Sequence, residues 1–186
     1  GRAMMHIIHD VAPGAQLAFH TGSLSPRNFE VGFKELAGLD ESNELIESAV
    51  KSNIIVDDIT FITEPFFGEG RISATIKAFT AAGGTHVTSA GNFADHAHQG
   101  VFSPSATVPD TNFITKSSIR AHIFNEESDD YLQQIHVIGG KTYMIVLQWE
   151  NAAADLDFYI VDDLGRLLVG NNRSYENGDA VEIMVF

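Results

Sequence analysis

The segment from Asn53 to Asn92 constrains the fold most. It opens with a β-branched run, Ile54-Ile55-Val56, within a strand pattern over residues 53–59. An amphipathic pattern follows over residues 70–82, with Ile72, Ile76 and Phe79 at helical spacing. Thr85 to Ser89 then reads as a second short strand. Strand, helix and strand in that order point to a parallel βαβ unit, because parallel neighbours need a long crossover while antiparallel ones can share a tight turn. Residues upstream fit the same α/β class. Residues 1–9 read as a helix with Ala3, Met4, Ile7 and Ile8 on one face, ended by Ala12-Pro13-Gly14-Ala15. Gln16 to His20 reads as a strand. Ser25-Pro26 opens a helix running to about Leu39, with Phe29, Phe33 and Leu36 as its stripe. Asp40 or Ser42 is expected to cap a further helix that turns Leu45, Ile46 and Val50 inward.

The pattern changes after Asn92. Residues 93–115 carry Pro104 and Pro109 and read as loop. Beyond them come short strand-like segments, Ile119 to Phe124, Gln133 to Ile138, Thr142 to Trp149, Asp155 to Asp162, Arg166 to Gly170 and Ala180 to Phe186. Turn signals separate them at Gly139-Gly140, Asp163-Leu164-Gly165 and Asn177-Gly178. Such spacing predicts an antiparallel, jelly-roll-like β-sandwich. The expected division is therefore residues 1–115 as an α/β region and residues 116–186 as a sandwich.

Charge narrows the partners. The formal net charge is −14. Residues 1–100 hold 6 Lys and Arg against 12 Asp and Glu, and residues 101–186 hold 5 against 13. Neither half carries a basic patch, which argues against nucleic acid and anionic membrane as partners. No apolar run approaches the ~20 residues of a membrane span. The absence of cysteine excludes disulfides, thiolate metal sites and a cysteine nucleophile. The chain opens inside a helical pattern and closes inside a strand pattern, so a piece of a longer protein is expected.

Chemistry is suggested by Thr88-Ser89-Ala90-Gly91-Asn92. It sets a side-chain amide just past the C-terminal end of a strand, where open α/β sheets carry their functional groups. An amide there can donate to a developing oxyanion, an interaction worth roughly 3–4 kcal/mol of barrier in acyl transfer. The plain alternative is a strand cap. Together with Gly1-Arg2-Ala3-Met4-Met5-His6-Ile7-Ile8 and Val11-Ala12-Pro13-Gly14-Ala15-Gln16-Leu17, the segment Ala81 to Asn92 resembles the subtilisin-like serine proteases (subtilases) over roughly residues 1–95. In that family a helix begins His-Gly-Thr and runs into an Ala-Pro-x-Ala turn, and the oxyanion strand ends in Ala-Gly-Asn.

The resemblance implies that Asn92 is the oxyanion amide and that Gly91 lets the backbone turn to present it. It also implies that Asp58-Ile59-Thr60 match the segment whose backbone pairs with a peptide or protein substrate. For Asp58 a solvated strand-end acid is the equal alternative. Asp57 reads better as an acid that faces solvent or caps the next turn. The loop Glu64-Pro65-Phe66-Phe67 reads either as a pocket wall or as packing. The sequence also departs from the family: Arg2 and Ala3 replace a Thr-His pair, and no Gly-Thr-Ser nucleophile segment occurs. The serine, histidine and aspartate of a triad are then expected outside the chain, with the β-rich region inserted before the serine. The chain alone is expected to be inactive.

Other constellations are weaker. His9 and Asp10 are neighbours on one helix end and cannot face each other as a relay, so His9 reads as a helix C-terminal cation. Asp95, His96 and His98 lack a fourth ligand, and a solvated loop is the better reading. Leu147-Gln148-Trp149 with Asp155 to Ile160 resembles bacterial pre-peptidase C-terminal modules of secreted proteases. Secretion or a cell-surface location follows from these resemblances. No metal site or cofactor is assigned, although Asp155 and Asp157 are candidate calcium oxygens against the simpler reading of a solvated face. The alternatives to a protease fragment are a pseudoprotease and a binding module acting through the sandwich.

Overall fold

A computed structural model describes the chain except residues 94–95, 115–117, 126, 129 and 172–179, and the side chain of residue 171. Helices and small sheets mix in the coarse α/β manner. The chain divides into two compact units, Gly1–Asn92 and Phe93–Phe186. The division falls at the end of the Ala-Gly-Asn segment. The change near residue 115 expected from composition lies inside the second unit, at residues outside those described.

The first unit contains α1 (Arg2–Val11), α2 (Pro26–Ala37), β1 (Ile54–Asp57), α3 (Arg71–Ala81) and β2 (Thr85–Thr88). Local chemistry sets the limits of α2. The Ser25 hydroxyl accepts from the backbone N–H of Asn28 at 3.1 Å, and Pro26 occupies the first turn, where its missing N–H costs nothing. Gly38 ends the helix at φ +68°, a left-handed conformation open to glycine at little cost. The stripe Phe29, Phe33 and Ala37 is buried at four-residue spacing. With Leu39, Ile55 and Phe79 it forms the core, and Leu36, Ile59, Ile72 and Ile76 pack around it. The expected α3 stripe is thus present with Phe79 buried, and Thr75 beside it is buried as well, its hydroxyl within hydrogen-bond distance of Asn43 Oδ1 (2.9 Å) and the Arg71 carbonyl (3.0 Å). In α1, by contrast, no residue is buried.

β1 and β2 pair in parallel, with Ile54 opposite Thr85 and Asp57 opposite Thr88, and α3 is the crossover between them. Side chains alternate across a strand. Ile55 faces the helices and is buried, while Ile54, Val56 and Val87 are exposed on the other face.

Two upstream expectations fail. Residues 42–50 form turns instead of a helix. Asp40 Oδ1 accepts from Ser42 and Glu44 N–H, Asn43 sits at φ +64°, and Leu39 bridges Leu45. A left-handed residue cannot continue a right-handed helix. Gln16 to His20 forms no strand, since β1 and β2 pair only with each other among the described residues.

In the second unit β3 (Met144–Gln148) pairs antiparallel with β6 (Val181–Val185), and β4 (Phe158–Val161) with β5 (Leu167–Asn171). Asp162 shapes the β4–β5 turn. Its Oδ1 accepts from the N–H of Leu164 and Arg166, its Oδ2 accepts from Arg166 Nε at 2.6 Å, and Gly165 takes φ +73°. The Arg166 side chain holds the Asp162 carboxyl below the usual aspartate range. In the second unit the described strands form two two-stranded ribbons. Residues 119–124 contribute a single bridge, Pro104 to His122, flanked by Ser105 N–H donating to Ala121 and Ile123 N–H donating to Ser103. Residues 133–138 form no ladder, and Ile135, Val137 and Ile138 are exposed. The Asn177-Gly178 turn lies outside the described residues.

Candidate functional site

Parallel pairing brings the C-terminal ends of β1 and β2 together, so residues 58–60 and 89–92 leave the same end of the sheet. Asp57 and Thr88 are the last paired residues there. The Asp57 side chain is about 90% buried, which corrects its solvent-facing reading, although it does cap the next turn. Its Oδ2 accepts from His86 Nε2 at 2.6 Å. Its Oδ1 accepts from the Thr88 hydroxyl at 2.7 Å and from the Ile59 N–H at 3.2 Å. The His86 side chain is as buried as that of Asp57, and its ring meets Phe33 edge-on at 5.3 Å. A buried carboxylate is costly unless hydrogen-bonded, and both Asp57 oxygens are satisfied.

This network is the part of the site that sequence reasoning missed. The signal was present in the two-residue alternation. Ile55 and Asp57 share one face of β1, and His86 and Thr88 share one face of β2. Only the register that sets Asp57 opposite Thr88 brings the four to one place.

Beyond the network the expected site residues are exposed. Asp58 and Thr60 face solvent, while Ile59 is half-buried against the core. Gly91 has φ +78°, a conformation that a side chain would strain, and Asn92 follows it exposed. Nearby in sequence, Phe66 is 67% exposed and Phe67 47%, so the Glu64–Phe67 loop does not serve as core packing. A methyl group on Gly1 would overlap the Phe19 ring. An open depression there is lined by Arg2, Met5, His6 and Phe19. His6, His9 and Asp10 are exposed, and His9 lies in the last turn of α1.

In the second unit Asp155 and Asp157 are exposed, but they precede β4 and do not form part of a strand face. Tyr159 packs on Phe113 at 5.1 Å and donates to Asp157 Oδ2 at 3.4 Å. Burial pushes its phenol above the usual tyrosine value, and the Asp157 and Asp155 charges add to the shift. Among the described residues no three His, Asp or Glu side chains converge as metal ligands. Asp95 lies outside the described residues. No described helix is long and apolar enough to cross a membrane. Comparison with protein-family models, with curated proteins and with solved structures finds no match.

Proposed function

We propose that the chain is part of a subtilisin-like serine endopeptidase. In this reading the first unit is the middle of the protease sheet and the second is an inserted sandwich-type module. The parent hydrolyses peptide bonds through a serine acyl-enzyme, and its serine, histidine and aspartate lie outside residues 1–186. Asn92 donates its side-chain amide to the oxyanion, Gly91 turns the backbone to present that amide, and Asp58-Ile59-Thr60 pair with the substrate. A secreted or cell-surface location follows from the same resemblance.

One observation carries the reading. A parallel βαβ unit delivers an exposed Asn92, preceded by a glycine at positive φ, to the same sheet end as the 58–60 segment with its exposed Asp58 and Thr60. Substrate chemistry in open α/β sheets belongs at that end. The bare face of β1 and β2 adds support. Parallel sheets are ordinarily covered on both faces, and Ile54, Val56 and Val87 lie open on one.

A pseudoprotease is the second reading. It is favoured by Arg2 and Ala3 at the start of α1, where the family carries a Thr-His pair. Fluorophosphonate labelling of the full-length parent separates the two. A working nucleophile labels, and Asn92→Ala then lowers kcat about 10²–10³-fold. A folded parent that stays unlabelled favours the pseudoprotease.

A further inference from the structure

We infer that Asp57 is a positioning residue for the proposed hydrolysis: its carboxylate fixes where the substrate-pairing segment stands relative to the oxyanion amide. The inference rests on the protease reading above. It adds a role for a buried network that no part of that reading uses.

The geometry is that of a three-way tie. Asp57 is the last paired residue of β1, and the 58–60 segment follows it directly. The Ile59 N–H donates to Asp57 Oδ1, so the carboxylate holds the 58–60 turn from within its own chain. The Thr88 hydroxyl donates to the same oxygen, four residues before Asn92. His86 Nε2 donates to the other oxygen and anchors it to the interior of β2, beside Phe33. One side chain thereby links the exit of β1 to the exit of β2. The parallel ladder ends at Asp57 and Thr88, so no strand hydrogen bond maintains their spacing beyond that point.

Chemistry makes that spacing matter. Peptide hydrolysis needs the scissile carbonyl, held by the 58–60 backbone, to meet the Asn92 amide at hydrogen-bond distance as the oxyanion forms. A displacement of about 1 Å at such a site can cost about 100-fold in rate. Asp57 touches neither substrate nor reacting atoms. Its effect passes through the two segments that do.

The test uses the full-length parent, with active sites counted by fluorophosphonate titration and turnover of a peptide substrate expressed per titrated site. Asp57→Ala is expected to lower kcat per site by about 100-fold while KM changes little. Asp57→Asn keeps an oxygen for Thr88 and Ile59, and its amide NH2 can donate to His86 Nε2 once the neutral imidazole carries its proton on Nδ1, so this variant is expected to recover most of that loss. Thr88→Val removes one tie without burying a charge, and decides the matter if Asp57→Ala does not fold. A merely structural role lowers the melting temperature and the number of titratable sites but leaves kcat per site unchanged. That outcome in both Asp57→Ala and Thr88→Val overturns the inference. A folded wild-type parent that takes no label removes the protease reading itself, and the positioning role with it.

Discussion

Replacing Phe33 by alanine probes the packing that supports the candidate site. Phe33 is 3% exposed and stands at the centre of the first unit. Its ring lies 6.1 Å from Phe29, 5.5 Å from Phe79 and 5.3 Å from His86, the last two edge-on. Truncation removes the ring from all three contacts and leaves a cavity whose walls are held by α2, α3 and the strand pair. Phe-to-Ala changes of this kind cost about 3–5 kcal/mol. A unit the size of Gly1–Asn92 has roughly 5–14 kcal/mol of stability at ~0.05–0.15 kcal/mol per residue. The substitution therefore removes a large share of the total. At about 4–8 °C per kcal/mol, the midpoint should fall by at least about 12 °C. Far-UV circular dichroism at 222 nm reads this directly, because α1, α2 and α3 all belong to the first unit. Phe33→Leu keeps most of the volume and should cost about 1–2 kcal/mol. A midpoint for Phe33→Ala within a few degrees of wild type would refute the assignment of Phe33 as the centre of this core.

Gly38 and Tyr159 give two further tests. Gly38→Ala should cost about 1–2 kcal/mol by urea denaturation, because φ is +68° and an added Cβ would sit 3.1 Å from Lys51 Cβ and 3.3 Å from Ala49 Cβ; an unchanged midpoint would contradict the left-handed helix stop. Tyr159 should ionise above pH 10.0 when followed by absorbance at 295 nm, and Asp157→Asn should bring its midpoint down. The raised value means that the fold favours the neutral phenol. Its contribution is complete below the unfolded value and is lost as pH rises through the folded one.

Much of the first unit was readable because its signals are local. The Ile54-Ile55-Val56 run, the helical spacing of Ile72, Ile76 and Phe79, and the Ser25-Pro26 start of α2 each act within a few residues. The failures share the opposite character. Leu45, Ile46 and Val50 have helical spacing, yet Asn43 takes a left-handed conformation and its side chain reaches Thr75 on α3. That contact spans 32 residues and has no local signature. Gln16 to His20 is apolar enough for a strand, but a strand also needs an edge to pair with. The Asp57–His86–Thr88 network depends on a parallel register across a whole helix, and a shift of one residue would turn Asp57 toward the opposite face. In the second unit the strand pairs β3–β6 and β4–β5 follow their apolar runs. The segment around His122 reaches only one bridge, centred on Pro104, which has no N–H to extend a ladder. Gly91 and Asn92 were legible as a turn with an amide, and the positive φ of Gly91 agrees with the turn.

Fluorophosphonate labelling of the full-length parent, with residues 1–186 alone as the control, tests the central claim most directly. The account predicts that the parent labels, that the isolated chain does not, and that Asn92→Ala reduces turnover per labelled site about 10²–10³-fold. A folded parent that takes no label, or an Asn92→Ala parent that turns over like wild type, would contradict it.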